Sequence, residues 1–282
     1  MSNCKLHPLV RLIDLNEMNT TDMTQCFVVI LQGREGRVCT GTTACDFRDA
    51  TLLFFRPGEC QEYVERMKNV TCNEYNPIRA LCFCGDWLNR HLPIVFDAEY
   101  HFFSYGIKES LHLSLKEKVV VDKCLDDIKE EMEWGLDEYS NVLIAQKIKI
   151  LFDYVCRYYD RQHITRSCLN ASLMKKIERE VDDYLVSGDN CLTCCHVPTR
   201  RFAESLGLSD AYFSDFLKRE TGKTIDKYVC ARHFEVAKRL LLTTNDSLCA
   251  IARKLGYHTL QSFSTTFKRV LGCAPNDYRN AN

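Results

Sequence analysis

Residues 203–228 read AESLGLSDAYFSDFLKRETGKTIDKY, and residues 251–279 read IARKLGYHTLQSFSTTFKRVLGCAPNDYR. One pattern runs through both. In the first it is Ala203, Leu206, Gly207, Phe213, Ser214, Leu217, Lys218, Arg219, Gly222 and Tyr228. In the second it is Ala252, Leu255, Gly256, Phe263, Ser264, Phe267, Lys268, Arg269, Gly272 and Tyr278. The offset is 49 residues up to the first glycine and 50 beyond it, so the second turn carries one extra residue. An internal repeat fixes architecture before any local reading does. Each copy reads as helix, tight turn at a glycine, second helix, the pattern whose second helix enters a DNA major groove.

The physical signals agree copy by copy. Pro198, Thr199, Arg200 and Arg201 open a helix carrying Phe202, Ala203 and Leu206, which Gly207 closes as a left-handed cap. Ser209 caps a second helix to about Thr221 that buries Tyr212, Phe213, Phe216 and Leu217. In the second copy Ser247 caps a helix with Ile251, Ala252 and Leu255, and Gly256 closes it. The next helix, Thr259 to Val270, buries Leu260, Phe263 and Phe267. Between the copies, residues 225–242 read as one helix with Tyr228, Val229, Phe234, Ala237 and Leu241 inward. Such a rod spans about 27 Å. Two helices that far apart reach successive major grooves, roughly 34 Å apart on one DNA face. Pro275 starts a closing turn.

These two copies, their connecting helix and the terminal Pro-x-x-Tyr-Arg resemble the DNA-binding domain of the AraC/XylS family of bacterial transcription regulators, over roughly residues 196 to 280. The resemblance implies that Ala211, Ser214 and Asp215 of the first recognition helix read bases, and Gln261, Ser264 and Thr265 of the second. Several family members carry Arg where this chain has Asp215. A carboxylate accepts from a cytosine amino group but cannot make the bidentate contact to guanine. Lys218, Arg219, Lys268 and Arg269 fall where phosphates are met, which sets position rather than sequence. The bland alternative for these cations is a solvated helix face; their recurrence at equivalent positions favours phosphate.

Charge divides in the same place. Residues 196–282 hold 14 Lys/Arg against 8 Asp/Glu, and residues 1–195 hold 23 against 30. A basic part on an acidic body suits a polyanion-binding module. No stretch approaches the ~20 apolar residues of a membrane helix. The N-terminus lacks a signal-type apolar segment, so a cytoplasmic protein without a membrane partner is expected.

The 17 cysteines are scattered rather than spaced as a disulfide framework, and reduced thiols are expected. Cys191, Cys194, Cys195 and His196 contain zinc-ligand spacing, but three consecutive ligands suit one tetrahedral ion poorly. Cys82 and Cys84 lie in an alternating strand pattern and read as small hydrophobes. No metal and no cofactor is assigned.

Residues 20–105 read as β-rich: QCFVVILQG, RVCTG, TLLFFRPGE, QEYVE and IRALCFCGD as short strands. ATLLFFRPGEC resembles the strand and Pro-Gly turn of cupin-like barrels, the fold the family commonly uses for regulation. No His-x-His occurs there, and His101 and His112 read as loop or surface residues. Arg56 and Glu59 read as a barrel-mouth pair or a surface ion pair. Ser114 and Glu117 fit a capping box. Leu115, Val119, Val121, Cys124, Leu125, Ile128 and Met132 form one apolar stripe. Ile144, Ile148, Leu151, Phe152, Val155 and Tyr159 form another, giving an antiparallel pair. Residues 172–187 are a further helix through Leu173, Ile177, Val181 and Leu185.

The expected fold is α+β. A cupin-like regulatory β-barrel covers 1–112, a helical pair that is either a dimer contact or intramolecular core alone 113–168, and a helix and linker 169–195. An all-α domain with two helix-turn-helix motifs covers 196–282. The partners implied by the resemblance are double-stranded DNA, a small-molecule effector, a second copy, and RNA polymerase for an activator. An enzyme is not expected. The alternative is a cysteine-based metal, redox or DNA-damage sensor fused to the same DNA-binding domain. Such sensors need a four-cysteine zinc set near the N-terminus, a spacing this chain does not show.

Overall fold

A computed structural model describes residues 9–14, 24–33, 41–70, 78–134, 137–186, 197 and 199–281. The chain forms two compact units, Met1–Ser167 and Cys168–Asn282.

In the first unit, strands β1 (Val10–Asp14), β2 (Phe27–Gly33), β3 (Ala50–Phe55), β4 (Arg79–Phe83) and β5 (Leu111–Leu113) make one antiparallel sheet, in the order β1-β4-β2-β3-β5. Helices α1 (Gln61–Val70), α2 (Gly85–His91) and α3 (Phe96–Glu99) interrupt the strands, and α4 (Leu115–Trp134) and α5 (Ser140–Thr165) follow them. Phe27, Val29, Leu31, Leu52, Phe54, Leu81 and Phe83 bury one face against Trp87, Phe96, Phe103 and the α4–α5 pair. Val28, Ile30, Leu53, Phe55, Ala80 and Cys82 bury the other against Tyr63, Val64 and Met67 of α1.

This arrangement corrects several expectations. Among the described residues the strands do not close into the cupin-like barrel; β1 and β5 remain the edges of an open sheet. The reason lies in FVVIL and LLFF, which are apolar at consecutive positions and need cover on both faces. QEYVE is the start of helix α1, not a strand. Cys60, Tyr63, Val64 and Met67 recur at helical spacing and are all buried. Of RVCTG only Gly41 lies within the described residues. His112 is 1% exposed, its Nδ1 3.3 Å from Thr51 Oγ1, while His101 stays exposed. Burial holds the His112 imidazole below its ordinary pKa, and hence neutral near pH 7. The Glu59 carboxylate accepts from the Arg56 backbone N–H at 3.2 Å and closes the Pro-Gly turn.

Helices α4 and α5 form a pair. The Ser114 N–H donates to Glu117 Oε2 (2.9 Å) and the Glu117 N–H to Ser114 Oγ (3.4 Å), a reciprocal capping box. Arg161 pairs with Glu117 at one end and Lys147 with Glu131 at the other, so α4 and α5 run antiparallel. Leu115 and Val119 leave the expected stripe: they are 62% and 60% exposed. At 100° per residue Val119 falls on the far side of α4 from Val121, Leu125 and Ile128, and Leu115, in the first turn, falls at the flank of that face.

The second unit is all helical: α6 (Ser167–Val186), α7 (Thr199–Ser205), α8 (Asp210–Thr221), α9 (Ile225–Thr243), α10 (Leu248–Lys254), α11 (Leu260–Leu271) and α12 (Pro275–Ala281). Ile177, Val181 and Leu185 of α6 join its core with Phe202, Phe213, Phe216, Leu217, Phe263 and Phe267. Asp182 accepts from Arg232 Nε (2.7 Å) and pairs with Arg239 Nη1 (3.0 Å), tying α6 to α9. Among the described residues, no helix is long and apolar enough to cross a membrane.

Candidate nucleic-acid interface

Two helix pairs, α7–α8 and α10–α11, are built by the same local chemistry. At the end of α7 the Leu208 N–H donates to Ala203 O (2.9 Å) and the Gly207 N–H to Glu204 O (3.0 Å). At the end of α10 the Tyr257 N–H donates to Ala252 O (2.9 Å) and the Gly256 N–H to Arg253 O (3.0 Å). Each is a Schellman turn, and each needs its glycine: Gly207 has φ 68° and Gly256 φ 76°. The chain then enters the second helix through a hydroxyl cap. Ser209 Oγ accepts from the Tyr212 N–H, and Thr259 Oγ1 from the Ser262 N–H.

Helices α8 and α11 are held by equivalent aromatic anchors. Phe213, Phe216 and Leu217 bury one face of α8; Phe263 and Phe267 bury one face of α11. Helical spacing then forces positions 211, 214, 215 and 218 of α8 onto the opposite side, and 261, 264, 265 and 268 of α11 likewise. Ser214, Gln261 and Thr265 are exposed, whereas Ala211, Asp215 and Ser264 are half-buried at the margin of that stripe. Lys218, Arg219, Lys268 and Arg269 are exposed in the last turns. The Ser214 hydroxyl donates to Asp210 O at 2.8 Å, so toward a base it presents acceptor lone pairs.

Several cations elsewhere in this unit are committed in place. Arg200 pairs with Glu204, Arg232 and Arg239 with Asp182, Lys238 with Glu235, and Lys254 with Asp246. Arg201 lies over the Tyr184 ring at 5.7 Å. Arg279 Nε donates to Leu241 O (3.1 Å), joining α12 to the end of α9. Among the described residues, Lys218, Lys268 and Arg269 have no such carboxylate partner, which leaves their ammonium and guanidinium groups for an outside anion.

Helix α9 separates the two pairs. Its 19 residues make a rod of about 28 Å, buried through Tyr228, Val229, Phe234, Ala237 and Leu241 as the sequence pattern requires. Sequence reasoning did not single out His233. Its ring is buried, and Nε2 lies 3.3 Å from Leu255 O, so it donates to the end of α10. Burial keeps this imidazole below its ordinary pKa, as a neutral strut between α9 and the second pair. A lone His on an apolar helix face was its only signal. The cluster Cys191, Cys194, Cys195 and His196 lies outside the described residues.

Comparison with known proteins converges on this unit. Residues 202–281 match the family model of a helix-turn-helix domain. An uncharacterised HTH-type transcriptional regulator of Bacillus subtilis, YobQ, is 35% identical over 81 residues, which are 29% of this chain and 34% of that protein. An AraC-like transcription regulator of Streptomyces lividans is 33% identical over 94 residues, 31% of each chain. The xylose operon regulatory protein of Escherichia coli K12 is 24% identical over 188 residues, 62% of this chain and 47% of that protein. The chain thus spans 31–47% of the length of these relatives.

Proposed function

We propose that this chain, whose residues 202–281 are a helix-turn-helix domain of AraC type, is a sequence-specific transcription regulator reading double-stranded DNA with α8 and α11. The observation that carries the reading is the repeat in three dimensions. Two equivalently capped helices, seated on equivalent aromatic anchors, present a polar stripe that ends in a Lys-Arg pair. In this reading Ala211, Ser214, Asp215, Gln261, Ser264 and Thr265 face bases in successive major grooves. Lys218, Arg219, Lys268 and Arg269 meet phosphates. The unit Met1–Ser167 is regulatory: it senses a small-molecule effector or joins two copies, and an activator of this kind contacts RNA polymerase. An effector biases presentation of the reading heads only through different affinity for two arrangements. The protein acts in the cytoplasm, where its DNA lies, and no catalytic step is part of its work.

The test separates base reading from phosphate contact. Gln261→Ala and Thr265→Ala each relax sequence choice in one half of the site, at a cost of about 1–3 kcal/mol on the preferred sequence. Lys268→Ala weakens all sequences alike and lowers the slope of log affinity against log salt by about 1. If all three substitutions leave affinity and sequence choice as they are, α11 does not present this face to DNA.

A further inference from the structure

Four cysteines from three distant segments lie toward one end of the sheet in Met1–Ser167: Cys26 before β2, Cys60 before α1, Cys82 near the end of β4 and Cys84 just after it. Cys60 and Cys82 are buried, Cys26 and Cys84 half-buried. The register ends with Phe27 opposite Phe83, and Cys26 and Cys84 are the next residue on each chain beyond that pair. The Cys84 N–H donates to Leu9 O at 3.1 Å, which turns its backbone groups toward β1 and away from β2. Toward β2 this is therefore a non-hydrogen-bonded position, and Cα atoms at such positions of a regular ladder stand about 4.5 Å apart. A disulfide accepts Cα separations of about 4.4–6.8 Å. Cys84 is in extended conformation, at φ −88° and ψ 126°.

We propose that Cys26 and Cys84 are a reversible dithiol, converted by a hydroperoxide into an intramolecular disulfide. The Cys84 thiolate attacks the terminal peroxide oxygen; the O–O bond breaks, the sulfur becomes a sulfenic acid, and the leaving oxygen takes a proton. The Cys26 sulfur then attacks that sulfenic sulfur, forming the S–S bond and releasing water. Two thiols lose two electrons and two protons, and the peroxide becomes water plus an alcohol, or two waters from hydrogen peroxide. A low-molecular-weight dithiol reverses the change by exchange.

The neighbours fit this division of roles. Burial, and then the nearness of Cys84, raise the Cys26 thiol above its ordinary pKa, which suits the second thiol to react rather than the first. Burial pushes Cys82 up to about 12 and raises Cys60 as well, so both remain inert thiols beside the pair. Among the described residues no three His, Cys, Asp or Glu side chains converge to hold a metal ion, which separates this pair from a metal cluster.

The experiment uses the full chain, reduced, freed of reductant and treated with one equivalent of hydrogen peroxide. Alkylation and non-reducing peptide mapping follow. The expected result is a Cys26–Cys84 linked peptide as the first intramolecular disulfide, with a loss of two thiols that dithiothreitol restores. Cys26→Ser leaves a sulfenic acid on Cys84, trapped by dimedone, and no disulfide; Cys84→Ser leaves Cys26 reduced. Cys26→Ala and Cys84→Ala repeat the test if serine disturbs the half-buried sites. Alkylation of both residues while exposed Cys45 and Cys156 oxidise, or a first link from Cys26 to Cys60 or Cys82, overturns the proposal.

Discussion

Phe263→Ala unfolds the second helix-turn-helix at denaturant concentrations that leave the rest of the native chain intact. Phe263 is fully buried, its ring 5.2 Å from Tyr257 and 5.5 Å from Phe267, which in turn lies 5.8 Å from Tyr278. Removing the ring deletes the anchor between the turn and α11 and takes away the support of Phe267, which reaches α12. Truncation of a buried Phe costs about 3–5 kcal/mol, against a total stability of about 5–15 kcal/mol for a domain. Phe263→Leu retains most of the volume and loses less. The readout is selective, because both tryptophans, Trp87 and Trp134, lie in Met1–Ser167. Far-UV circular dichroism in urea shows an early helical transition, and tryptophan emission does not move with it. Since α11 carries half of the proposed reading surface, DNA affinity falls with the folded fraction. A midpoint unchanged from wild type would show that these rings do not hold α11 in place.

Asp46→Asn does the corresponding damage to the other unit. The Asp46 carboxylate accepts from Arg166 Nε at 2.8 Å and Nη2 at 2.7 Å, and from Thr43 N and Oγ1 at 2.7 Å each. The side chains are 0% and 10% exposed, so the pair sits in low dielectric at the end of α5. Neutralising Asp46 removes the carboxylate charge from a buried ion pair, which costs about 3–5 kcal/mol. Here tryptophan emission reports the loss. Replacing both partners by apolar residues of similar size recovers much of it, because the pair itself nearly breaks even against its desolvation. The pH dependence follows. Burial opposes ionisation of Asp46, but Arg166 and the Thr43 donors outweigh it and hold the carboxyl below the ordinary aspartate range. Its contribution is complete above the unfolded aspartate pKa, about 3.9, and disappears as pH falls through the lower folded value. Wild type therefore loses stability in acid where Asp46→Asn has a flatter response. Identical acid limbs would remove Asp46 from the account.

The two units differ in how far their sequences could be read. In the C-terminal unit local signals agree with one another: Ser209, Ser247 and Thr259 cap helices, Gly207 and Gly256 take positive φ, and the buried phenylalanines recur at one spacing. The proposed reading positions follow from those anchors, because a helix with one buried face has only one opposite face. What the pattern missed there is marginal burial. Ala211, Asp215 and Ser264 sit at the edge of the stripe and are half-buried. Helix α6 read as a lead into the linker, yet Ile177, Val181 and Leu185 are core, since a short apolar stripe does not say what it packs on. In the N-terminal unit long-range pairing decides, and short apolar runs are ambiguous between strand and helix. QEYVE shows no helical period until Cys60 and Met67 are included. His112 becomes a buried residue only because β5 pairs with β3, a partnership 61 positions apart between Thr51 and His112.

The central claim is that α8 and α11 read one DNA duplex in successive major grooves. The direct test is to select genomic DNA fragments on the full chain and footprint the best one with hydroxyl radicals. The account predicts two short protected blocks on one face of the duplex, about one helical turn apart, over a recurring sequence in each. Lys268→Ala thins the protection of one block. Salt-sensitive retention with no recurring sequence, or a single protected block, would contradict it.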